Sequence, residues 1–411
     1  MMNLQILQKK KIAVVGLGVN NRKMSEYFSN HGINFEVIDG WKNPDELIGK
    51  LDRFDIIFRT PGLPFLSKAI LQANRAGVEI SSQTELFFSL CPAKIIGVTG
   101  TKGKGTSAAL LAKIFTESNQ LFFLAGNIGR DPFEFLDELS FEHLVIMELS
   151  SFQLQDLEIS PHVAVVLNIT ADHLDHHQTK DEYLRSKGPI LSYQNNKDFA
   201  ILDKRLPDSF KNLGQGKKIF FDPKEASGYK TKLLGKHNLE NIAAAVEVAK
   251  LFKVNPELIK QAVAAFMPLP HRLSYVRKYN DITYIDDSYS TNPDATMAAI
   301  DSFDGNIVLI LGGMDKELDQ TQLFEKIKNS LKVKGIIVIG QLTKKIIEAL
   351  HSFSGKILKG AKNMEEILLQ VHSVAQGGDF VLLSPGAASF DMFKNATDRG
   401  DQFIRAVNQI K

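Results

Sequence analysis

The sequence contains a single cysteine, Cys91, among 411 residues. One thiol cannot form an internal disulfide or a cysteine-based metal cage, and such sparse use of cysteine fits a reducing compartment. The 49 Lys and Arg residues nearly balance the 47 Asp and Glu residues, which gives a net charge of +2. So small a charge provides no long-range field to attract nucleic acid or an anionic membrane. We therefore expect neither partner, and any bound anion must be held by local groups.

Long apolar runs are also missing, since no segment reaches the roughly 20 apolar residues that a membrane-spanning helix needs. Three lysines at 9–11 precede an apolar run, but that run is too short for a secretory signal and no small-residue cleavage site follows. We expect a soluble, cytoplasmic protein that acts as a monomer. The composition, 44% hydrophobic and 23% charged, is that of an ordinary globular chain, and the length allows about three domains.

Short apolar runs alternate with helical patterns along the whole chain. Runs of this kind are IAVV, KIIGVTG, LVIME, VAVVLNI, IVLILGG and DFVLLSP. Continuous apolar runs are typical of buried parallel strands, and the amphipathic stretches between them predict crossover helices. The predicted fold class is therefore α/β throughout. Residues 206–231, rich in Lys, Gly and Asp, are predicted to form surface loops or a small hairpin.

Two proline-containing segments interrupt this alternation. They are SLCPA at 89–93 and FMPLP at 266–270. Proline disfavours helix in the residue that precedes it and stiffens a linker, so both segments are candidate boundaries. They predict three domains at 1–91, 92–268 and 269–411, each long enough to build a hydrophobic core.

The strongest local signal is the segment KIIGVTGTKGKGT at 94–106, which a helical pattern follows. It combines a strand, a glycine-rich turn whose N–H groups can point at phosphate oxygens, a lysine and a helix N-terminus. Lys104 would neutralise the outer phosphates of a nucleotide. The spacing GTKGK is shorter than that of the standard G-x-x-x-x-G-K-[ST] loop, and Gly105 stands where the metal-binding hydroxyl is expected. Thr106 is the substitute for that hydroxyl, and a simple tight turn is the alternative interpretation.

A second glycine-rich turn, GLGVNN at 16–21, follows the run IAVV. Asp39 ends the next apolar run, at about the 20-residue spacing that is typical of dinucleotide-binding folds. Asn21 replaces the third glycine, however, which compromises close packing of the helix on the strand. An NAD-binding oxidoreductase, a site for another nucleotide diphosphate and a purely structural turn all remain open at this point.

Further motifs follow the phosphate loop in order along the chain. They are GNIG at 126–129, ELSSFQL at 148–154, NITADHLD at 168–175, GKHNLEN at 235–241, PHR at 270–272, DDS at 286–288, GGMDK at 312–316 and LSPGAASFD at 383–391. Together with the loop, this set resembles the Mur ligases of peptidoglycan precursor synthesis. ELSSFQL, GGMDK and SPGAASFDMFKN are most similar to members that add glutamate to UDP-N-acetylmuramoyl-L-alanine. The resemblance covers essentially the whole chain.

The resemblance implies a fold and a reaction. The fold would comprise a Rossmann-like N-terminal domain for the UDP-sugar, a central P-loop ATPase-type domain with a mainly parallel sheet, and a Rossmann-like C-terminal domain for the amino acid. The enzyme would be an ATP-dependent amide ligase with two Mg²⁺ ions, acting on UDP-N-acetylmuramoyl-L-alanine and glutamate. In such a reaction ATP activates a carboxylate as an acyl phosphate, and this chemistry depends on positioning and on cancelling negative charge.

The resemblance also implies which residues bind each ligand. The ATP site would contain Gly100, Thr101, Lys102, Gly103, Lys104, Gly105, Thr106, Asn238, Asn241, Arg272 and Asp287. The UDP-sugar site would contain Gly18, Val19, Asn20, Asp39, Asn127 and Ser150, and the glutamate site Lys316, Ser389 and Phe390. The magnesium ligands would be Thr106, Glu148, His173 and Lys187, with Lys187 carried as a carbamate. The catalytic set would be Lys104, Glu148, His173 and Lys187.

Four positions depart from the family pattern. Lys102 and Gly105 change the phosphate loop toward the form found in folylpolyglutamate synthases, a sister family that also adds glutamate. Tyr289 replaces a lysine, and Ala396 replaces an aromatic residue that borders the glutamate pocket. These two changes leave the identity and handedness of the amino acid open. The alternatives are another ligase of the superfamily, which could add an L-amino acid, and a non-catalytic nucleotide-binding relative.

Two catalytic assignments have simpler alternatives. His173 lies beside His176 and His177, which fits an exposed polar loop. Lys187 lies in a helical pattern of mixed charge, which fits an ordinary exposed lysine. Glu148, by contrast, ends an apolar run, where a buried carboxylate needs a cation.

We predict that Lys104→Ala and His173→Ala each abolish acyl phosphate formation. Each change removes charge cancellation at the transferred phosphoryl group, and losses of about 100-fold or more follow from removal of one such group. The measurement is ATP-dependent turnover of each purified variant beside the unchanged chain. Near-normal turnover in either variant would remove that residue from the proposed site.

Overall fold

A computed structural model describes residues 2–169 and 180–410 of the chain. The strands are β1 Ile12–Val15, β2 Phe35–Ile38, β3 Ile56–Arg59, β4 Glu79–Ser82, β5 Lys94–Thr99, β6 Phe122–Gly126, β7 Leu144–Glu148, β8 Val163–Val166, β9 Phe199–Asp203, β10 Lys217–Phe221, β11 Ser274–Tyr279, β12 Ile282–Asp286, β13 Ile307–Gly312, β14 Val333–Ile339, β15 Lys356–Leu358 and β16 Phe380–Leu383. The predicted His173 lies outside the described residues.

Helices alternate with these strands, as the apolar runs predict. The α-helices are α1 Leu4–Leu7, α2 Val19–Asn30, α3 Lys68–Arg75, α4 Gln83–Leu90, α5 Lys104–Glu117, α6 Ser151–Leu154, α7 Lys180–Lys187, α8 Pro189–Ser192, α9 Asp208–Lys211, α10 Asn238–Leu251, α11 Pro256–Ala265, α12 Pro293–Asp301, α13 Thr321–Lys328, α14 Thr343–Ala349, α15 Met364–His372 and α16 Ala396–Gln409. No helix in the described ranges is both long and apolar enough to cross a bilayer.

The first sheet has the strand order β2-β1-β3-β4, and all its strands are parallel. The central strands β1 and β3 are buried along their whole length, because helices cover both faces of a parallel sheet. The glycine-rich turn GLGVNN connects β1 to α2. This turn therefore lies at the carboxyl end of a central strand, where α/β sheets bind ligands.

The second sheet has the order β10-β9-β8-β5-β7-β6, again with all strands parallel. Strand β5, which leads into the phosphate loop, lies between β7 and β8. Strand β10 pairs with β9 in parallel, so the hairpin predicted for residues 206–231 is wrong. A parallel neighbour needs a crossover connection, whereas a hairpin turn joins antiparallel strands only.

The third sheet has the order β11-β12-β16-β13-β14-β15. Only the edge pair β11 and β12 is antiparallel among the described strands of this sheet. The DDS, GGMDK and SPGAASFD segments follow β12, β13 and β16, which are close neighbours. Three motifs that are far apart in the sequence therefore meet at one edge.

The chain separates into two compact units. The first is Met1–Lys230 with Leu239–Ala265, and it contains the first two sheets. The second is Thr231–Asn238 with Phe266–Lys411, and it contains the third sheet. The predicted α/β class with mainly parallel sheets is confirmed. The three-domain boundaries, each enclosing one sheet, stay a prediction.

A buried ion pair links the first two sheets inside the first unit. Arg59, at the end of β3, pairs with Asp156, which follows α6, and both side chains are fully buried. The guanidinium also donates to the carbonyl oxygens of Leu63 at 2.8 Å and Phe152 at 3.1 Å. A buried guanidinium is tolerable only with such partners, because desolvation strongly disfavours an uncompensated charge.

We predict that Asp156→Ala lowers the free energy of unfolding by about 3–5 kcal/mol, because it leaves the Arg59 charge buried without its carboxylate. Urea unfolding followed by circular dichroism measures the change. The matched control is Glu257→Ala, since Glu257 is 69% exposed in its ion pair with Lys260. We expect the control to lose less than about 1 kcal/mol. Equal losses in the two variants would contradict the role of the buried pair.

Candidate functional site

The phosphate loop joins β5 to α5, so the predicted strand, turn and helix are present in that order. Gly103, the residue before α5, has a φ of +85°, a left-handed conformation that favours glycine. A Cβ atom at this position would lie 2.0 Å from Oδ1 of Asn241. Glycine therefore lets the loop pass close to α10. The N-terminus of a helix is suited to binding an anion, and α5 begins directly after the loop.

Two lysine side chains converge on the loop. Nζ of Lys104 donates to the carbonyl oxygens of Gly100 and Thr101, each at 3.1 Å. Nζ of Lys187 donates to the same Gly100 oxygen at 3.3 Å and to Oγ1 of Thr99 at 3.4 Å. Lys187 is only 1% exposed, so its interpretation as an ordinary exposed lysine is wrong. The shared acceptor places Nζ of Lys187 close to Nζ of Lys104 at the phosphate loop.

Glu148 lies on the strand next to the loop. It ends β7 opposite Val98 of β5, and it is buried. The N–H of Asn127 donates to the Glu148 carbonyl oxygen at 3.4 Å. Ser150 caps α6, and Gln153 completes the capping box. Glu148, Asn127 and Ser150 therefore share the carboxyl edge of the second sheet with the phosphate loop.

The chemistry of this edge fits Mg²⁺, which prefers oxygen ligands. Glu148 provides a buried carboxylate, and Thr106 is buried in the first turn of α5. Within residues 2–169 and 180–410, no three His, Cys, Asp or Glu side chains come together as a metal site. Only Glu148 of the predicted ligands has one of these side chains in those ranges, because His173 lies outside them. The complete ligand set stays a prediction.

The two asparagines predicted for adenine lie near the start of α10. Asn241 is buried, and its Oδ1 accepts a hydrogen bond from Oγ of Ser107 at 3.2 Å. Asn238 is also buried, and its Nδ2 donates to the Leu234 carbonyl oxygen at 2.6 Å. Asn241 therefore packs against the phosphate loop and α5. Asn238 fastens the segment that precedes α10.

The glycine-rich turn of the first sheet uses an unexpected side chain. Gly18 precedes α2, and Val19 and Asn20 form its first turn. Asn21 is fully buried, and its Nδ2 donates to the Gly16 carbonyl oxygen at 2.9 Å. The side chain that replaces the third glycine thus ties α2 to the end of β1. Hydrogen bonding takes the place of the close packing that a glycine would allow.

Asp39 lies beside this turn. Val15 is the register partner of Ile38, and the Gly16 N–H donates to the Ile38 carbonyl oxygen at 2.8 Å. The exposed Asp39 carboxylate accepts the N–H of Gly40 at 2.9 Å. The turn and Asp39 therefore lie at adjacent strand ends. This arrangement suits a ligand that spans the two strands.

The second unit contains the predicted Asp287 and Arg272. Asp287 is buried after β12, and it accepts hydrogen bonds from Oγ of Ser384 at 2.8 Å and the Leu273 N–H at 3.1 Å. Burial raises the pKa of Asp287 to about 7. The exposed Arg272 places its Cζ 5.4 Å from the ring centroid of Tyr289, a cation–π contact. Asp287 thus holds the loops of its own unit together, and Tyr289 supports the guanidinium.

The two departures at Tyr289 and Ala396 are neighbours. The Tyr289 hydroxyl lies 2.9 Å from Oγ1 of Thr397, the residue after Ala396. The Tyr289 ring also stacks on His271, with 5.7 Å between ring centroids. An aromatic ring is therefore present beside position 396, although the residue there is alanine.

Two buried residues support the loops around Tyr289 and Ala396, and the sequence analysis assigned neither of them to a site. His271 is buried, with Nδ1 2.6 Å from Oδ2 of Asp286, and this hydrogen bond raises its pKa. Arg399 is fully buried and donates to the carbonyl oxygens of Ser288 at 2.8 Å and Ala387 at 3.2 Å. Burial lowers the pKa of Arg399 to about 10. His271 could have been found from the PHR motif, but an arginine in an amphipathic helix carries no such signal.

The three residues predicted for glutamate lie together in the second unit. The N–H of Met314 donates to the Ala388 carbonyl oxygen at 2.9 Å, which joins the loops after β13 and β16. Nζ of Lys316 lies 6.0 Å from the ring centroid of Phe390. Ser389, which precedes Phe390 in the sequence, is 2% exposed. The arrangement provides a cation, a hydroxyl and an aromatic face, which suits a small amino acid with carboxylates.

Two domain-family models match the chain. Residues 98–215 match the Mur ligase middle domain, and residues 271–386 match the Mur ligase glutamate ligase domain. The UDP-N-acetylmuramoylalanine--D-glutamate ligase of Clostridium kluyveri is 34% identical, with 99% of this chain and 98% of that protein covered. The ligase of the same name from Acetivibrio thermocellus is 32% identical, with 98% and 97% covered.

A solved structure supports the fold. The MurF ligase from Thermotoga maritima in complex with ADP matches with a TM-score of 0.62 and 18% sequence identity. The match covers 100% of this chain and 97% of that chain. The two proteins therefore share a fold along the whole length of this chain. A sequence identity of 18% shows the shared fold and nothing about function.

We predict that Gly103→Ala weakens ADP binding by at least about tenfold. The alanine would have to keep a left-handed backbone conformation that is disfavoured for it, and its Cβ atom would collide with Asn241. Isothermal titration calorimetry with ADP and Mg²⁺ measures the dissociation constant. The matched control is Gly228→Ala, since a Cβ there would meet nothing within 4 Å. Equal affinities in the two variants would show that the loop does not bind the nucleotide.

Proposed function

Because the chain belongs to the Mur ligase family, we propose that it adds D-glutamate to UDP-N-acetylmuramoyl-L-alanine with consumption of ATP. The acceptor carboxylate is a poor electrophile, since its displaced oxygen would have to leave as an oxide. A carboxylate oxygen therefore bonds to the γ-phosphorus of ATP as the bridge to the β-phosphate breaks, which releases ADP. The amino nitrogen of glutamate then attacks the acyl carbon, loses a proton and displaces phosphate.

The observation that carries this proposal is the convergence of charged side chains on one loop. Nζ of Lys104 and Nζ of Lys187 both contact the Gly100 carbonyl oxygen, and Glu148 ends the neighbouring strand. Phosphoryl transfer requires little covalent chemistry from a protein, and it depends instead on positioning and charge stabilisation. Lys104 provides a cation at the loop, and Glu148 and Lys187 lie beside it as proposed metal ligands.

The proposed nucleotide site is the one that the family resemblance implies. Lys104 would neutralise the β- and γ-phosphates, and the first N–H groups of α5 would bind phosphate oxygens. The other nucleotide contacts would come from Gly100, Thr101, Lys102, Gly103, Gly105, Thr106, Asn238, Asn241, Arg272 and Asp287. Two Mg²⁺ ions would be held by Thr106, Glu148, His173 and a carbamylated Lys187. When bound, Mg²⁺ offsets the negative charge of the phosphates.

The proposal assigns the UDP-sugar, ATP and glutamate mainly to different segments of the chain. Residues 1–91 would hold the UDP group through Gly18, Val19, Asn20 and Asp39, with Asn127 and Ser150 contacting the muramoyl-alanyl arm. Residues 92–268 would hold ATP. Residues 269–411 would hold glutamate, with its carboxylates at Lys316 and Ser389 and its side chain near Phe390. We propose that the enzyme acts in the cytoplasm as a monomer.

A ligation assay tests the proposed reaction. The purified chain is given ATP, Mg²⁺, UDP-N-acetylmuramoyl-L-alanine and either D- or L-glutamate, and phosphate and product are measured. We expect phosphate release that requires both substrates, with D-glutamate favoured by at least about 100-fold, because a site built around polar contacts discriminates strongly. Lys104→Ala provides the inactive control.

Each alternative predicts a different result, in this assay or in a nucleotide-binding titration. Preference for an L-amino acid or for a folate acceptor would identify another ligase of the superfamily. Binding of NADH but not UDP, followed by fluorescence, would favour the oxidoreductase. Absence of both ATP cleavage and a new amide bond would overturn the proposed function.

A further inference from the structure

Glu240 belongs to none of the predicted ligand sets, although it lies between Asn238 and Asn241 in the sequence. It is 5% exposed, in the first turn of α10. Its Oε1 accepts two hydrogen bonds from Asn168, one from the backbone N–H at 2.7 Å and one from Nδ2 at 2.6 Å. Such short distances are typical of bonds to a charged carboxylate. Glu240 therefore fixes both the backbone and the side chain of Asn168.

Asn168 in turn holds the phosphate loop. Its carbonyl oxygen accepts the N–H of Thr101 at 2.7 Å, and its Oδ1 accepts the N–H of Lys102 at 3.3 Å. A Cβ atom at Gly100 would come within 3.2 Å of the same carbonyl oxygen. Two consecutive loop N–H groups thus have their direction set by one residue. The loop conformation then determines where Lys104 and the first turn of α5 point.

The other oxygen of Glu240 is held from the opposite side. Its Oε2 accepts a hydrogen bond from the Arg205 guanidinium at 2.7 Å. Nε of Arg205 also donates to both carboxylate oxygens of Asp203, at 2.9 and 3.1 Å. Asp203 ends β9, and its side chain is 1% exposed. The arginine therefore pairs with two buried carboxylates, which would otherwise be costly to keep charged.

We propose that Glu240 is a positioning residue for the nucleotide site. The contacts form one relay from Arg205 through Glu240 and Asn168 to the backbone of Thr101 and Lys102. This relay keeps the loop in the conformation that binds phosphate. The inference rests on the proposed function, because it concerns the same ATP site. Glu240 acts through Asn168 and needs no contact with the nucleotide.

A purely structural role predicts a different result. An acidic residue in the first turn also stabilises its own helix through the helix dipole, and its loss would then lower stability alone. A positioning role instead lowers the fraction of molecules with a binding-competent loop. The apparent dissociation constant rises by the inverse of that fraction, whereas the saturated enzyme turns over almost normally.

The test is Glu240→Gln, which keeps the shape of the side chain and removes its charge. We expect the dissociation constant for ADP with Mg²⁺, measured by calorimetry, to rise about tenfold, and the KM for ATP to rise in parallel. At saturating ATP, kcat should change by less than about threefold. The matched control is Glu247→Gln on the same helix, whose partner Lys250 is 57% exposed. The control should bind ADP like the unchanged chain.

A double-mutant cycle tests the relay itself. Asn168→Ala removes the side-chain link to Glu240 and to the Lys102 N–H, so Glu240→Gln should weaken ADP binding less in that background than in the unchanged chain. Additive effects would overturn the relay. An ADP affinity in folded Glu240→Gln equal to that of the unchanged chain would also overturn it.

A second variant covers the case in which Glu240→Gln does not fold. Arg205→Met removes a side chain that is 61% exposed, and we expect about threefold weaker ADP binding; unchanged affinity would overturn the proposal. The unchanged chain tests the proposed function separately. If it binds ADP but forms no amide bond, the proposed function fails while the ratio between variants still tests the relay. If it binds no ADP, both proposals fail.

Discussion

The parallel direction of the strands in the second sheet is the constraint on which the candidate site depends. Because β5 to β9 run the same way, backbone hydrogen bonding brings their carboxyl ends to one edge. The phosphate loop follows β5, Glu148 ends β7, Asn168 follows β8 and Asp203 ends β9. The sheet thus brings residues from distant parts of the chain together.

Two sets of charged side chains lie at this edge. Lys104 and Lys187 both contact the Gly100 carbonyl oxygen of the loop. Glu240 forms an ion pair with Arg205, and both of its carboxylate oxygens are hydrogen-bonded. Buried charges need partners, and Glu240 meets that need without using Lys104. The Glu240 contacts can therefore stiffen the loop while Lys104 stays at the proposed phosphate site.

In the second unit, parallel strands and buried charged residues also bring motifs together and support them. Its motifs follow β12, β13 and β16, so the sheet again brings them to one edge. Arg399 donates to the carbonyl oxygens of Ser288 and Ala387, which joins two of these loops through a buried guanidinium. Asp287, with a pKa raised to about 7 by burial, lies in the loop after β12 and bonds to Ser384 after β16. Rigid support of this kind is what a small-ligand site requires, since misplaced contacts lose most of their effect.

Sequence patterns were sufficient for the α/β class, for the strand, loop and helix around Lys104, and for membership of the family. The α/β class and the loop are local properties, and family membership depends on the order of motifs along the chain. Neither requires knowledge of which segments contact each other in the folded protein. The position of β10 beside β9, the burial of Lys187 and the bonds of Asn21 could not be read in this way. Each depends on a partner that the chain brings close only when it folds.

The roles of Glu240 and Arg399 show the same limit most clearly. In the sequence, both are charged residues in helical patterns, and such residues are usually exposed. Folding instead places Glu240 against Asn168 and Arg399 against Ala387, each with hydrogen-bonded partners. The linear pattern therefore predicts the residues that meet the ligands, whereas the packing of the sheets shows which buried residues support the loops around them. Burial and hydrogen bonding between distant segments are properties of the folded chain, and no local pattern encodes them.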